Sequence, residues 1–396
     1  MNTRMSIKQN SKSSNEILLI ETEEMLQNIC VLLRQQKKIA VDLEGNSLHH
    51  YQENISLIQV SIKGSDFIID PLKISNLSPL FDIFIDPSIQ KIMHGSDFDV
   101  MSLQRDFNIK IKNLFDTQIA AYMLGLEGLS LASLLEHYFS VELEKALQKH
   151  DWSFRPLDRD HLEYARNDTH WLLALQEILV HQLQSEQLID AVLEECTILS
   201  NKEFVDRRNE ETAFLRVKGS QKLSPNQKKR LYFIWSFREN CAKERDLPTF
   251  KVFSDSQIVS LCQTTEINRA IISKILGTKN FIRYGDNILS IIENADISTL
   301  VLPEYPKLTI PKVYGQEIII NQLKEWRTKK KDTNIRISLL PTNQQLKDIS
   351  QAKVQSKADI SKNMRNWQFQ MWGDEIWNTL EPHIQKLYSK KKKSKT

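Results

Sequence analysis

In the run Ile39-Ala40-Val41-Asp42-Leu43-Glu44, an apolar stretch ends in two carboxylates spaced two residues apart. Side chains of a β-strand alternate between its faces, so Ile39, Val41 and Leu43 share one face and Asp42 and Glu44 the other. A strand that buries its apolar face and sets two unpaired carboxylates on the opposite one is costly unless a cation lies against them. Hard divalent ions such as Mg2+ or Mn2+ take oxygen ligands of this kind. The strand therefore points to a sheet that carries a metal site.

At 396 residues the chain exceeds a single compact core and divides into two or three domains. Its hydrophobic fraction of 41% is that of a soluble globular protein. No apolar stretch approaches the roughly 18 residues of a membrane span, so no membrane association is expected. Residues 1–15 are polar and read as a flexible lead-in without the apolar core of a signal peptide. Cys30, Cys196, Cys241 and Cys262 are far apart and form no C-x-x-C pair, which fits reduced thiols in the cytoplasm. The net charge of +3 hides an asymmetry, because residues 301–396 hold 19 Lys+Arg against 9 Asp+Glu, or +10, and residues 1–300 carry −7. A basic distal segment ending in Lys390-Lys391-Lys392-Lys393 suits contact with phosphate backbones, or serves as a solubilising tail.

Residues 16–205 alternate between strand and helix patterns. Strands are expected at Ile17–Ile20, at the carboxylate run, at Ile55–Ile62, at Asp66–Asp70 and at Lys91–His94, with Lys63-Gly64-Ser65 as a hairpin connection. Helical spacing appears at 23–35 and 77–85, and from Gly95 to Gln184 the pattern is mostly helical. This order predicts an α/β domain with a mixed five-stranded sheet flanked by helices. Beyond Phe204 the strands stop. Ser224-Pro225-Asn226-Gln227 reads as a helix start, Leu247-Pro248 as a break, and Pro303 and Pro306 as a linker. Two small all-helical modules are expected, at 212–295 and 312–385, with a basic tail at 386–396.

Two more acids stand in unusual places. Asp99 follows the Lys91–His94 strand in the first turn of a helix, where Ser96 or Asp97 would cap, and its spacing to Leu103 and Phe107 turns it toward the sheet. Tyr164 and Asp168 lie one turn apart in a helix around 161–182, on the stripe of Trp171, Leu172, Leu175 and Leu179. Singly, each has an ordinary reading, a dipole-favoured acid at a helix start or a Tyr–Asp core hydrogen bond. Together, four inward-facing carboxylates repel one another, and two divalent ions about 4 Å apart resolve this.

The order Asp-x-Glu, then Asp, then Tyr-x-x-x-Asp resembles the tyrosine-bearing branch of the DEDD superfamily of 3′→5′ exonucleases. Val41-Asp42-Leu43-Glu44, His94-Gly95-Ser96-Asp97-Phe98-Asp99, Leu114-Phe115-Asp116-Thr117-Gln118, and Asp151-Trp152-Ser153-Phe154-Arg155-Pro156-Leu157 with Tyr164-Ala165-Arg166-Asn167-Asp168 look like blocks of the ribonuclease D family. Leu43 and Gly45 depart from it, since many relatives carry Thr and several an aromatic there. Leu223-Ser224-Pro225-Asn226-Gln227 with Trp235, and Arg245-Asp246-Leu247-Pro248, resemble the helicase-and-RNase-D C-terminal (HRDC) domain. Residues 315–385 look like a diverged second copy.

The resemblance implies an RNase H-like fold and a 3′→5′ exoribonuclease that releases nucleoside 5′-monophosphates from RNA such as tRNA precursors. It implies two Mg2+ or Mn2+ ions on Asp42, Glu44, Asp99 and Asp168, with Tyr164 holding the attacking water and Glu44 also bonding the terminal ribose. Trp152, Phe154 and Arg155 are expected either to line the strand path or, for the two aromatics, to serve as packing. His94 reads as a satisfied core histidine, His49-His50 as a loop feature, and Asp116 as a helix cap. A DNA exonuclease on the same fold and a non-catalytic RNA-binding adaptor are the competing readings.

Overall fold

The computed structural model describes residues 17–144, 146–208, 210–303, 315–333 and 335–393. The expected lead-in at 1–15, Pro306 of the expected linker, residues 312–314 of the second helical module and residues 394–396 lie outside them.

The sheet has six strands, β1 (Ile17–Ile20), β2 (Lys38–Gly45), β3 (Ile55–Ile62), β4 (Ser65–Ile69), β5 (Gln90–Met93) and β6 (Leu114–Asp116). Their order across the sheet is β1-β4-β3-β2-β5-β6. β3 is antiparallel to β2 and to β4, whereas β1–β4, β2–β5 and β5–β6 are parallel pairs. The expected count of five is thus corrected to six. The missed β6 is only three residues long, too short for a periodic signal, and its Asp116 also caps the next helix. Around the sheet lie α1 (Glu23–Leu33), α2 (Ser78–Ile85), α3 (Asp97–Phe107), α4 (Thr117–Met123), α5 (Leu131–Phe139), α6 (Arg159–His170), α7 (Leu172–Ser185) and α8 (Ile189–Ser200). The single helix expected over 161–182 is two, broken at Trp171, which ends α6 and begins α7. Ile39, Val41 and Leu43 enter the main core as their alternation requires.

The first helical module comprises α9 (Pro225–Glu244), α10 (Thr249–Val252), α11 (Asp255–Gln263), α12 (Arg269–Leu276) and α13 (Thr278–Asn294). Ser224 and Gln227 form a capping box at the start of α9, with Pro225 at the first helical position. The second comprises α14 (Gln316–Lys331), α15 (Asn343–Gln351), α16 (Lys357–Ser361) and α17 (Asn366–Lys393). α17 runs unbroken through Lys393, so Lys390–Lys393 close a helix instead of forming a separate tail.

Each module has its own apolar core, but the two meet the α/β domain differently. The first receives Tyr51 from the α/β domain against its core. The second contributes Leu339 and Trp367 to the main core itself. There Glu194 of α8 accepts from the first backbone N–H groups of α17, Asn366 at 2.7 Å and Trp367 at 3.0 Å, a helix cap supplied by another element. Glu195 accepts from the Trp367 indole at 2.9 Å. Among the described residues no helix is long and apolar enough to cross a membrane.

Candidate active site

β2 carries Asp42 and Glu44, and the β2–β3 ladder shifts register between Glu44 and Gly45, where β3 holds Ser56 as the extra residue. Bulges of this kind re-aim side chains at the end of a ladder. α6 packs across β1, β2, β3 and β4 and brings Asp168 down beside the two acids. Carboxylate oxygens of Asp42, Glu44 and Asp168 all lie within 4.8 Å of one another. Asp99, buried in the first turn of α3, stands just outside that set, yet its charge reaches Asp42 and Glu44.

The electrostatics are those of a site short of positive charge. Burial, then the charges of Asp99, Asp168 and Glu44, push the Asp42 carboxyl well above the usual carboxylate range. Glu44 is raised likewise by burial, Asp168 and Asp99. Asp99 is pushed up to about 7, mainly by burial and by neighbouring Asp116, and Asp168 to about 7 by burial. Tyr164 is raised by burial and by Asp168, Glu44 and Asp42, so its hydroxyl keeps its proton. No cationic side chain offsets Asp42, Glu44, Asp99 or Asp168 among the described residues. An all-oxygen set of four carboxyl groups with no resident counter-charge fits hard divalent cations.

The scaffold behind the acids is hydrogen-bonded. Asp116 accepts from the backbone N–H groups of Gly95 at 3.0 Å and Ser96 at 2.7 Å, and caps α4 through Gln118 and Ile119. It therefore does more than the cap expected of it, since it also fixes the turn from which α3 carries Asp99. Asp97 is no helix cap; it lies in the first turn, and its carboxylate pairs with Lys202. Nδ1 of His94 meets Thr117 Oγ1 at 2.9 Å, while its Nε2 has no partner. Burial holds this imidazole below its usual pKa. His94, Gln118, Asn167, Tyr164 and Asp168 line a cavity of about 910 Å³.

Two of the three residues expected along the strand path are spent elsewhere. Trp152 is 1% exposed and packs with Leu57, Ile68 and Ala165 behind Tyr164, its ring centroid 5.8 Å from the tyrosine's. The guanidinium of Arg155 is bidentate on buried Asp70, at 2.6 and 2.9 Å, and donates to the carbonyls of Trp152, Phe154 and Ser56. The Arg155 side chain is 17% exposed, and Trp152 presents no free face to a base. Phe154, 60% exposed, does. A second exposed aromatic escaped the sequence reading: Phe98, 52% exposed, precedes Asp99 and lies beside Gly45. The His49-His50 loop also proves structural, for His50 bonds Asp246 of the first helical module.

A mixed sheet with Asp-x-Glu at a strand end, an Asp in the following helix start and Tyr-x-x-x-Asp on a crossing helix defines a 3′-5′ exonuclease of the acid-cluster, metal-dependent class. Comparison agrees: a family model described as 3'-5' exonuclease matches residues 17–184, and an HRDC domain model matches residues 227–292. Ribonuclease D of Haemophilus influenzae is 30% identical over 285 residues, spanning 71% of each chain. The crystal structure of Escherichia coli RNase D, an exoribonuclease involved in structured RNA processing, superposes with a TM-score of 0.67 at 26% identity, covering 93% of this chain and 99% of that one. The chain belongs to the ribonuclease D family. It is also 32% identical over 288 residues to Protein RRP6-like 2 of Arabidopsis thaliana, spanning 68% of this chain and 33% of that relative.

Proposed function

We propose that the protein is a metal-dependent 3′→5′ exoribonuclease that trims the 3′ ends of structured RNA, tRNA precursors foremost, in the cytoplasm. The observation that carries this reading is the meeting of Asp42, Glu44 and Asp168 within 4.8 Å. Asp42, Glu44, Asp99 and Asp168 would hold two divalent cations, Mg2+ or Mn2+, which when bound supply Lewis-acid activation of water and stabilise charge on the leaving 3′ oxygen. Tyr164, protonated and one turn from Asp168, orients the attacking water toward the terminal phosphorus. Glu44 also bonds the terminal ribose. Phe98 and Phe154 offer exposed rings on which unpaired bases stack. Four free cysteines suit a reducing compartment.

The helical modules are the RNA grip in this reading. We read residues 315–393 as a diverged copy of the first module. Both run from a long helix to a Leu-Pro break, Leu247-Pro248 and Leu340-Pro341. Both then start a short helix with a capping box, Ser254 with Gln257 and Thr342 with Gln345, and end on a long helix.

The test is incubation of purified protein with 3′-labelled RNA and matched DNA, in Mg2+, Mn2+ or EDTA. Mononucleotide release from RNA with metal, and none in EDTA, is expected. Equal release from DNA would favour a DNA exonuclease. Asp168→Asn, which removes charge but little volume, should lower the rate at least about a thousandfold, the scale of losing a major transition-state stabiliser. A wild-type rate in that variant would sink the reading.

A further inference from the structure

Gln59 is fully buried, and neither its amide nitrogen nor its amide oxygen has a hydrogen-bond partner. Buried side-chain amides are almost always paired, so one that is not needs a reason, such as an absent ion or a catalytic role. Register supplies the context, because β3 sets Gln59 directly opposite Asp42. Opposed residues of an antiparallel pair share a face, with Cβ atoms about 5 Å apart. The amide therefore stands on the acid face of the sheet, beneath α6. Its two neighbours along β3 on that face make other contacts. Leu57, opposite Glu44, packs with Trp152 and Ala165. Ser61, opposite Ala40, donates to Asp66 at 2.6 Å and meets Thr169 at 2.7 Å. Of the three, Gln59 alone is left without a partner.

On the reading above that Asp42 is a metal ligand, we propose that Gln59 is a positioning residue for the metal site, its Nε2–H donating to the Asp42 carboxylate when a divalent ion takes the carboxylate's remaining lone pairs. An ionised carboxylate has about four acceptor sites, more than a metal uses. A neutral amide suits the task better than a lysine or arginine, whose charge would repel the ion. Gln59 gives up no existing bond to make this one. Donors of this sort hold a ligating carboxylate in one orientation and are worth about ten- to a hundredfold in metal affinity or activity.

The test uses the full chain stripped of metal, titrated with Mn2+ by calorimetry, alongside thermal melts without metal. Gln59→Leu should weaken Mn2+ binding about ten- to a hundredfold. Its metal-free melting temperature should stay the same or rise, because an unpaired amide is exchanged for an apolar group of similar shape. Gln59→Met, which keeps the unbranched shape, should behave alike if Gln59→Leu folds poorly. Unchanged Mn2+ affinity with a lowered melting temperature would overturn the role and make Gln59 a structural residue holding a buried water. Should wild type bind no Mn2+, or should Asp168→Asn bind it as tightly as wild type, the metal-site reading itself falls and takes the role of Gln59 with it.

Discussion

The imidazole of His50 in the exonuclease domain lies 2.6 Å, Nδ1 to Oδ2, from the carboxylate of Asp246 in the HRDC module. Its other nitrogen, Nε2, is 2.8 Å from Ser153 Oγ, whose own proton goes to Asp151. Both ring nitrogens thus face acceptors, and only the doubly protonated imidazolium satisfies both. Asp246 also accepts from the backbone N–H of Tyr51, whose hydroxyl reaches Glu239. One short loop therefore ties the two domains.

The hydrogen bond to Asp246 raises His50 above its usual 6.5, and the same bond holds Asp246 below 3.8. A raised histidine contributes stability that is full below pH 6.5 and lost as pH climbs through its folded value. A depressed aspartate contributes above pH 3.8 and loses that contribution as pH falls. Docking of the HRDC module should be firmest at about pH 4 to 6.5 and loosen above it. Calorimetric melts at pH 6 and pH 8 should show the HRDC transition moving down at the higher pH in wild type, and not in His50→Leu. A pH shift of equal size in the variant would assign the effect to other groups.

Divalent ions should stabilise the fold, and more so at high pH. In the metal-free protein Asp99 and Asp168 bind protons up to about pH 7 against 3.8 unfolded, so stability falls as pH rises between those values. Binding only to the folded state stabilises it by mass action. Below pH 7 the ions must displace protons, which weakens the gain. Mg2+ or Mn2+ should therefore raise the melting temperature more at pH 8 than at pH 5.5, with Asp168→Asn flattening the response. An equal rise at both pH values would argue that the ions act elsewhere.

Tyr164→Phe should slow turnover far more than it weakens RNA binding, because the hydroxyl is assigned to water and not to substrate. Its ring packing against Trp152 is retained in the variant, so the fold should hold. Normal turnover with a raised KM would reassign Tyr164 to substrate binding.

Arg155→Met should act on stability before it acts on RNA. Asp70 has a fully buried side chain, and Arg155 is its ion-pair partner. Removing one partner of a buried pair costs about 3–5 kcal/mol, since the other charge stays behind unpaired. A chemical-denaturation curve should show a loss of that size, and Asp70→Asn combined with Arg155→Met should recover part of it. Unchanged stability with a raised KM would return Arg155 to the strand path.

What could be read from the sequence was local. Asp42 and Glu44 announce themselves through period-two alternation, and Tyr164 and Asp168 through a one-turn spacing, and the fold brings Asp42, Glu44 and Asp168 together. The features that escaped depend on partners far along the chain. Arg155 finds Asp70 across 85 residues and His50 finds Asp246 across 196. Nothing near either residue signals its partner. Gln59 looks like any polar residue in a strand until register sets it opposite Asp42. The break at Trp171 has no glycine or proline to mark it.

Removing the second helical module separates grip from chemistry. All five candidate catalytic residues precede residue 170, and residues 301–396 carry +10. A chain ending at Leu302 should still shorten a brief unstructured oligonucleotide with Mg2+. Its melting temperature should drop, because Leu339 and Trp367 leave the main core and Glu194 loses the helix start it caps. Affinity for a tRNA-sized RNA should fall, and the plot of log affinity against log salt should flatten by about 0.7–0.9 for each phosphate that is no longer neutralised. That slope is the deciding readout, since a merely destabilised protein would bind less yet keep the same salt dependence per active molecule. An unchanged slope and affinity would leave the second module as a brace for α8 and the exonuclease core.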